Sequence, residues 1–144
     1  MARPDASKII NGTYGRVWID GELWAEVDSF EAKVTINYED VNFAGEGATF
    51  KKATGWSGEG SMTIKKIYSR VQQKLGEKVR KGTYPRFEIV GKLADPDAFG
   101  SERVALHDVT FNEFLLLKFE QKTLGSADVP FAFSDYEMMD LITA

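Results

Sequence analysis

Three glycines in the middle of the chain have a spacing that could bind a phosphate group. Gly55, Gly58 and Gly60 stand in the stretch TGWSGEGSMTIKK, with the pattern GxxGxG. Nucleotide-binding loops use GxGxxG, or a glycine loop that ends in Lys-Ser/Thr, and a helix follows directly so that its N-terminus faces the phosphates. Here the following residues alternate with period two, which predicts a strand. The stretch therefore lacks the context of a nucleotide site, and Ser57 lacks the GxSxG spacing of a nucleophile elbow.

The chain offers few other residues for catalysis. It has one histidine, His107, and no cysteine, which excludes thiolate chemistry and any site that needs two imidazoles. Asp108 follows His107, but neighbours in a strand point to opposite faces and cannot form the His–Asp pair of a triad. Asp95 and Asp97 flank a proline and fit a turn better than a cation site. We expect a protein that is not an enzyme and that holds no cofactor or metal.

The composition is that of an ordinary folded protein. A chain of 144 residues with 43% hydrophobic and 28% charged residues is about one domain with a single core. Its 18 basic and 22 acidic residues give a formal charge of -4, which disfavours a protein that works mainly by holding nucleic acid. No apolar run approaches the roughly 20 residues of a membrane span, so we expect no membrane partner and an origin in the cytosol.

Alternation of apolar and polar residues predicts that most of the chain is strand. Asp20-Gly21 stands between two apolar runs and predicts a type I′ hairpin, in which Trp18 lies opposite Leu23 and Val17 opposite Trp24. The stretch SFEAKVTINY alternates with period two, and so does the stretch 56–65, whose glycines suggest a bend or a close backbone approach. Further strands are predicted over PRFEIVGKLA, RVALHDVTF and ADVPFAF.

One stretch changes from period two to helical spacing. Ile67, Val71, Leu75 and Val79 are four residues apart, and Gly82 stands where a left-handed helix terminator belongs. The helix also carries a stripe of lysines and arginines, which we interpret as a solvated face because no aromatic residue interleaves it.

The remaining segments complete the predicted organisation. Residues 1–15 read as a flexible N-terminal arm, residues from about 40 to 55 as a long loop, and residues 111–124 as a strand that ends in a short turn. Together, the predicted strands, helix and loops indicate a single domain, 1–144, of the α+β class and mainly β. We predict an antiparallel β-barrel or sandwich with one flanking α-helix.

Several stretches of the sequence, in their order along the chain, resemble a known family. The stretches NGTYGRVWIDGELWAEV, TGWSGEGSMTIKK, DPDAFGSERV and VPFAFSDYEMMDL resemble the tail tube proteins of contractile phages and of phage-like elements of the PBSX type, over nearly the whole chain. The implied fold is also similar to that of the tube proteins of type VI secretion. These stretches hold no catalytic residues, so the resemblance is one of overall pattern.

The resemblance implies a structural subunit that forms stacked hexameric rings around a channel. Its partners would be further copies of itself, the sheath, baseplate and tail terminator proteins, and DNA that passes through the lumen without specific binding. The particle would be a contractile virion tail or a phage-tail-like particle, assembled in the bacterial cytoplasm. Open strand edges, a liability in a monomer, would become the joints of a ring.

Specific residues are predicted to carry this assembly. Aromatic residues on the hairpin, the long loop and the start of the next strand would join subunits or stack rings: Trp18, Trp24, Phe43, Phe50 and Trp56. The polar face of either long strand could line the channel, with Glu31 and Lys33 on one and Glu59 and Lys65 on the other. Excess lysine would bind DNA by counterion release, so we expect the lining to be neutral or acidic.

Two other functions compete with this hypothesis. The first is a monomeric β-barrel that binds a carbohydrate or small ligand, with Trp18, Trp24 and Trp56 as stacking platforms. The second is a hydrolase whose carboxylate pair carries no sequence mark. Chromatographic size and negative-stain microscopy separate the tube subunit from the monomeric module.

Overall fold

A computed structural model describes residues 3–143, in which eight strands and one α-helix follow two short 3-10 turns. The turns are Ala6–Lys8 and Gly12–Tyr14. The longer elements, in chain order, are β1 Gly15–Ile19, β2 Glu22–Leu23, β3 Val27–Val41, β4 Phe50–Lys65, α1 Arg70–Arg80, β5 Phe87–Leu93, β6 Glu102–Phe111, β7 Ser126–Phe133 and β8 Asp135–Asp140. No helix among the described residues is long and apolar enough to cross a membrane.

The strands form an antiparallel sheet that divides into two halves at β6. The hydrogen-bonded order is β2-β1-β5-β6-β7-β4-β3, and β8 pairs with β6. The first half of β6 pairs with β8, and its last residues, Thr110 and Phe111, pair with β7. We call β3, β4, β7 and the end of β6 the front sheet, and we call β1, β2, β5, β6 and β8 the back sheet.

The two sheets and the helix share one hydrophobic core. Ile19 and Ile89 of the back sheet, Phe131 of the front sheet and Leu75 of α1 belong to the same buried cluster. The Phe30 and Phe131 rings stack at 5.6 Å between centroids, and β1 contacts β3 where the two ends of the sheet approach each other. The predicted α+β fold, mainly antiparallel β with one flanking helix, is confirmed.

The first hairpin has the predicted turn and register. Asp20 and Gly21 have φ angles of 51° and 82°, as a type I′ turn requires. Trp18 pairs with Leu23, and the N–H of Trp24 donates to the carbonyl of Val17 at 3.0 Å. This turn ties β2 to the edge of the back sheet.

The helix is shorter than its apolar spacing predicts. It begins at Arg70, so Ile67 lies before it and is 65% exposed, whereas Val71 and Leu75 are buried as predicted. Gly82 has φ of 84°. The N–H of Gly82 donates to the carbonyl of Val79 at 3.0 Å and that of Thr83 to Lys78 at 2.8 Å, which is a Schellman motif.

Glycines in β4 let aromatic rings lie against the strand. A Cβ at Gly58 would collide with the Phe133 ring, and a Cβ at Gly60 would collide with the Phe131 ring and the backbone oxygen of Glu31. The close backbone approach predicted here is found at Gly60, whereas at Gly58 the approaching group is a side-chain ring. Both glycines allow the rings of β7 to fill the core beneath the front sheet.

Half of the long loop predicted near residues 40–55 is strand. Strands β3 and β4 pair from Val27 opposite Ile64 to Val41 opposite Phe50, so only residues 42–49 connect them. The register shifts where Asn37 pairs with Gly55 and Tyr38 with Ala53. This bulge breaks the alternation of apolar residues, which is why the sequence pattern reads as a loop.

The strand predicted within residues 111–124 ends at its first residue. Strand β6 stops at Phe111, and residues 112–125 form no helix or strand. The N–H of Asn112 still donates to the carbonyl of Pro130 at 2.9 Å, but the chain then leaves the sheet. Three consecutive leucines, 115–117, give this segment apolar side chains on both sides, and no strand within residues 3–143 pairs with it.

The N-terminal arm contacts the body through Lys8, whose Nζ atom lies 5.3 Å from the centroid of the Phe99 ring, and through Asn11. The N–H of Asn11 donates at 2.9 Å to the Oδ2 atom of Asp95, a buried carboxylate that also accepts from the N–H of Asp97 at 2.9 Å. Asp95 therefore belongs to a turn, as predicted. In the arm, the N–H and hydroxyl groups of Ser7 donate to Asp5 and lower the pKa of that carboxyl. The flexibility of residues 1–15 stays a prediction.

Candidate assembly surfaces

The four residues predicted to line a channel lie on one face of the front sheet. In the β3–β4 register Glu31 pairs with Ser61 and Lys33 with Glu59. Lys65 follows on the same side, opposite Ser126 of β7. The two polar faces that the sequence left as alternatives are therefore a single surface, which we call the polar face.

Charges on the polar face are largely paired across strands. The Nζ atom of Lys33 lies 3.7 Å from Oε1 of Glu59, and that of Lys65 lies 3.6 Å from Oδ1 of Asp28. The Thr63 hydroxyl donates to Oδ1 of Asp128 at 2.8 Å. All four charged partners of the ion pairs are more than half exposed, so each pair contributes little to stability.

Carboxylates outnumber lysines on the polar face and at its rim. The acidic side chains are Asp28, Glu31, Glu59 and Asp128, and the basic ones are Lys33 and Lys65. This part of the sheet thus carries an excess of two negative charges per subunit. Such a surface repels a polyanion more than it attracts one.

The opposite face of β3 is apolar and largely uncovered. Val34, Ile36 and Tyr38 point to the core side of the sheet, yet all three are exposed, Ile36 at 51%. The sequence pattern predicts a half-buried strand here. The uncovered part of β3 begins where β7 ends, since β7 pairs with β4 only from Gly58 to Lys65.

Beyond that point the β3–β4 hairpin is a two-stranded ribbon. Its tip carries Phe43 and Phe50, both exposed, whose rings contact each other edge to face at 5.6 Å. Trp56, also exposed in part, packs edge to face on Tyr136 of β8 at 5.3 Å. An isolated two-stranded ribbon is marginally stable in water, so this ribbon needs cover from outside the subunit.

Trp24 is not available to a neighbouring subunit, and its predicted assembly role is wrong. Its side chain is 1% exposed and belongs to the core. The Arg70 guanidinium lies 5.6 Å from the Trp24 ring and forms ion pairs with Glu26 at 3.2 Å and Glu22 at 3.0 Å. Alternation placed Trp24 and Trp18 on different faces of the hairpin, and α1 covers the face that holds Trp24.

Known proteins similar to this chain agree on one class. Residues 2–140 match the family model described as phage tail tube protein. The chain belongs to the phage tail tube protein family.

A curated relative of this tail tube protein is the phage-like element PBSX protein XkdM of Bacillus subtilis (strain 168). The two are 34% identical over 140 residues, which cover 96% of this chain and 95% of the relative. The resemblance drawn from the sequence is confirmed.

Solved structures share the fold at low sequence identity. A chain in the cryo-EM structure of the PVC sheath-tube complex, an extracellular contractile injection system in its extended state, aligns with a TM-score of 0.71 at 9% identity, covering 94% of this chain and 95% of that one. A chain in the tail of an empty gene transfer agent particle, determined with C6 symmetry, aligns with a TM-score of 0.55 at 12% identity, covering 90% and 98%.

The single histidine of the tail tube protein forms no triad with Asp108. Its ring nitrogens lie 3.3 Å from Oε1 of Glu88 and 3.8 Å from Oε2 of Glu137, across the neighbouring strands. Asp108 has φ of 57° and pairs instead with Arg86 at 3.3 Å. Among residues 3–143, no group of three or more His, Cys, Asp and Glu side chains could hold a metal ion.

The three tryptophans of the tail tube protein do not form a common stacking platform. An open cleft of about 910 Å³ between the sheets is lined by Trp24 but not by Trp18 or Trp56. Trp24 itself lies in the core, and Trp18 is half-buried on β1. The carbohydrate-binding alternative therefore lacks the arrangement of aromatic rings on which it depends.

Sequence reasoning missed one large surface of the tail tube protein. The exposed apolar side of β3 reads in the sequence like any core strand. A usable signal is the length of the alternating run, because β3 has 15 residues and strands of globular proteins usually have about 3–10.

Proposed function

We propose that this tail tube protein is the repeating subunit of a hollow tube, built from hexameric rings that stack around a central channel. The front sheet of each subunit contributes to the channel wall, with its polar face toward the lumen. The protein acts by polymerising, without turnover and without a cofactor. The tube belongs to a contractile phage tail or a phage-tail-like particle, assembled in the bacterial cytoplasm.

One observation supports this proposal more than any other. The front sheet has a polar face whose two lysines are already paired within the subunit, while the apolar side of β3 is left uncovered. A closed ring of such sheets explains both, because neighbouring subunits cover the apolar side and remove the open edge of β3.

The partners follow from the position of the subunit in such a particle. Copies of the chain form the rings, and sheath, baseplate and tail terminator proteins meet the outside and the ends of the tube. DNA passes through the lumen without specific binding, because the polar face carries more carboxylates than lysines. Phe43, Phe50 and Trp56 on the projecting ribbon, and the half-exposed Trp18, are the aromatic contacts between subunits or rings.

Assembly of the purified protein tests the proposal. We expect monomers or small rings at low concentration, and long tubes of uniform diameter when the protein is concentrated or seeded. Size-exclusion chromatography and negative-stain microscopy report both states. Monodisperse monomers at every protein and salt concentration would overturn the tube proposal and favour the alternative, a monomeric binding module.

A further inference from the structure

The segment between β6 and β7 exposes an apolar run that the subunit does not cover. Within residues 112–124, Leu116, Leu117, Phe119 and Leu124 are all exposed, Leu117 at 82%. Soluble monomers rarely expose large contiguous apolar patches, and those that exist usually bind another surface. The segment therefore has the composition of a contact surface.

The segment lies at one lateral edge of the front sheet. It leaves the sheet after the hydrogen bond between Asn112 and Pro130, and it returns where the carbonyl of Gly125 accepts from the N–H of Lys66 at 2.9 Å. In the order β6-β7-β4-β3, this connection is on the side of β7. Strand β3 is on the opposite side, with β4 between them.

Strand β3 presents a matching surface at that opposite edge. Among the described residues β3 pairs only with β4, so its outer edge has no partner strand. Val34, Ile36 and Tyr38 are exposed along the same stretch. The chain thus carries two unpartnered apolar surfaces, one at each lateral edge of a single sheet.

The charges of residues 112–124 balance, with Lys118 and Lys122 against Glu113 and Glu120. No side chain of residues 112–124 belongs to an ion pair of the described chain, which leaves Lys118 and Lys122 without an acidic partner inside the subunit. Glu31 and Glu39 of β3 lie on the side opposite to Val34, Ile36 and Tyr38, so the match between the two surfaces is one of apolar side chains.

We propose that residues 112–124 of one subunit pack on the exposed apolar side of β3 in the next subunit, over Val34, Ile36 and Tyr38. The two surfaces lie at opposite edges of the front sheet. Each subunit therefore contacts one neighbour through residues 112–124 and the other neighbour through β3. Such a head-to-tail contact propagates until it closes into a ring. The inference rests on the proposed tube, since it names the pair of surfaces that joins neighbours within a ring.

Engineered cysteines can test this contact on a clean background, because the natural chain has no cysteine. Leu117→Cys combined with Ile36→Cys places one thiol on each surface. A matched control combines Leu117→Cys with Thr35→Cys, which is one residue along β3 but on the polar face, opposite Ser57. Tubes are assembled in reductant, oxidised, and separated by non-reducing gel electrophoresis.

We expect the Leu117/Ile36 pair to give a ladder of covalent oligomers ending at the hexamer, and the Leu117/Thr35 pair to remain monomeric. Tubes that form normally but give no ladder above the control would overturn the contact and leave the tube proposal intact. If the cysteine-free parent forms no tubes under any condition, the proposed function fails and the contact fails with it.

A second variant separates assembly from folding. Leu117→Asp with Phe119→Asp adds two charges to an exposed segment, so the urea midpoint of the monomer should stay unchanged while the yield of sedimentable tubes falls at least tenfold. Assembly equal to that of the parent would overturn the proposed contact, whatever the cross-linking shows.

Discussion

Strands β5 and β3 alternate apolar and polar residues in the same way, but their apolar sides end in opposite environments. Phe87 and Ile89 of β5 are buried, Ile89 at 0% exposure, whereas Ile36 and Tyr38 of β3 are more than half exposed. Strand β5 lies between β1 and β6, and β3 is the outermost strand of a ribbon that extends beyond β7. Alternation thus identifies a strand and its faces, but it does not identify the molecule that covers them.

The largest difference in monomer stability is expected between equivalent substitutions in β5 and in β3. Ile89→Ala should lower the free energy of unfolding of the monomer by about 2–5 kcal/mol, because it leaves a cavity in a closed core. Ile36→Ala should lower it by about 0.5 kcal/mol or less, yet it should reduce tube yield. Urea unfolding of the monomer and sedimentation of tubes measure the two effects. Equal losses of monomer stability would mean that β3 is as well covered as β5.

A second pair of substitutions compares close packing with open space. Gly60→Ala should destabilise the monomer by about 1–3 kcal/mol, because the added methyl group meets Phe131 and the backbone of Glu31. Gly76→Ala on α1 meets nothing within 4 Å and should stabilise the monomer by about 1 kcal/mol through helix propensity. Thermal unfolding of both variants gives the comparison. A shift of the same sign in both would contradict the packing of β7 against β4.

The smallest effect on stability, but a clear one on function, is expected at the polar face. Glu31→Lys with Glu59→Lys should change monomer stability by about 0.5 kcal/mol or less, because both side chains are exposed. The face then carries excess positive charge, so assembled tubes should retain DNA in a nuclease-resistant form that salt releases. Quantifying nuclease-resistant DNA in purified tubes measures this.

Matched charge changes elsewhere control for net charge. Glu77→Lys with Glu102→Lys alters two exposed carboxylates on α1 and β6 and should leave the amount of protected DNA unchanged. If the Glu31/Glu59 variant fails to assemble, those side chains belong to an interface between subunits. If it behaves like the parent, other strands line the channel.

Local patterns predicted much of the fold because they depend on residues close in sequence. Asp20-Gly21 requires positive φ at two adjacent positions, so it predicted both the turn and the pairing of Trp18 with Leu23. The four residues predicted for the channel lie on one face because a strand alternates strictly and antiparallel pairing keeps faces aligned. Their role in a channel stays a prediction.

Features that depend on distant residues were not predictable in the same way. The burial of Trp24 depends on Arg70 and α1, which cover one side of the first hairpin. The bulge between Gly55 and Ala53 shifts the register and conceals the first part of β4, residues 50–55. Residues 112–124 alternate too weakly to specify a strand, and within the subunit they have no partner that would make them one.

The ion pairs of the polar face have a consequence for transport through the proposed tube. Lys33 with Glu59, and Lys65 with Asp28, are each joined at 3.6–3.7 Å within one subunit. Opposite charges this close cancel at distances beyond the Debye length, which is about 8 Å at physiological ionic strength. The electrostatic potential along the axis would then vary little from ring to ring, whatever the rotation between them. A polyanion moving through such a channel would meet no positively charged trap, while the two carboxylates per subunit that have no lysine partner among the described residues, Glu31 and Asp128, would repel it in the same way at every ring.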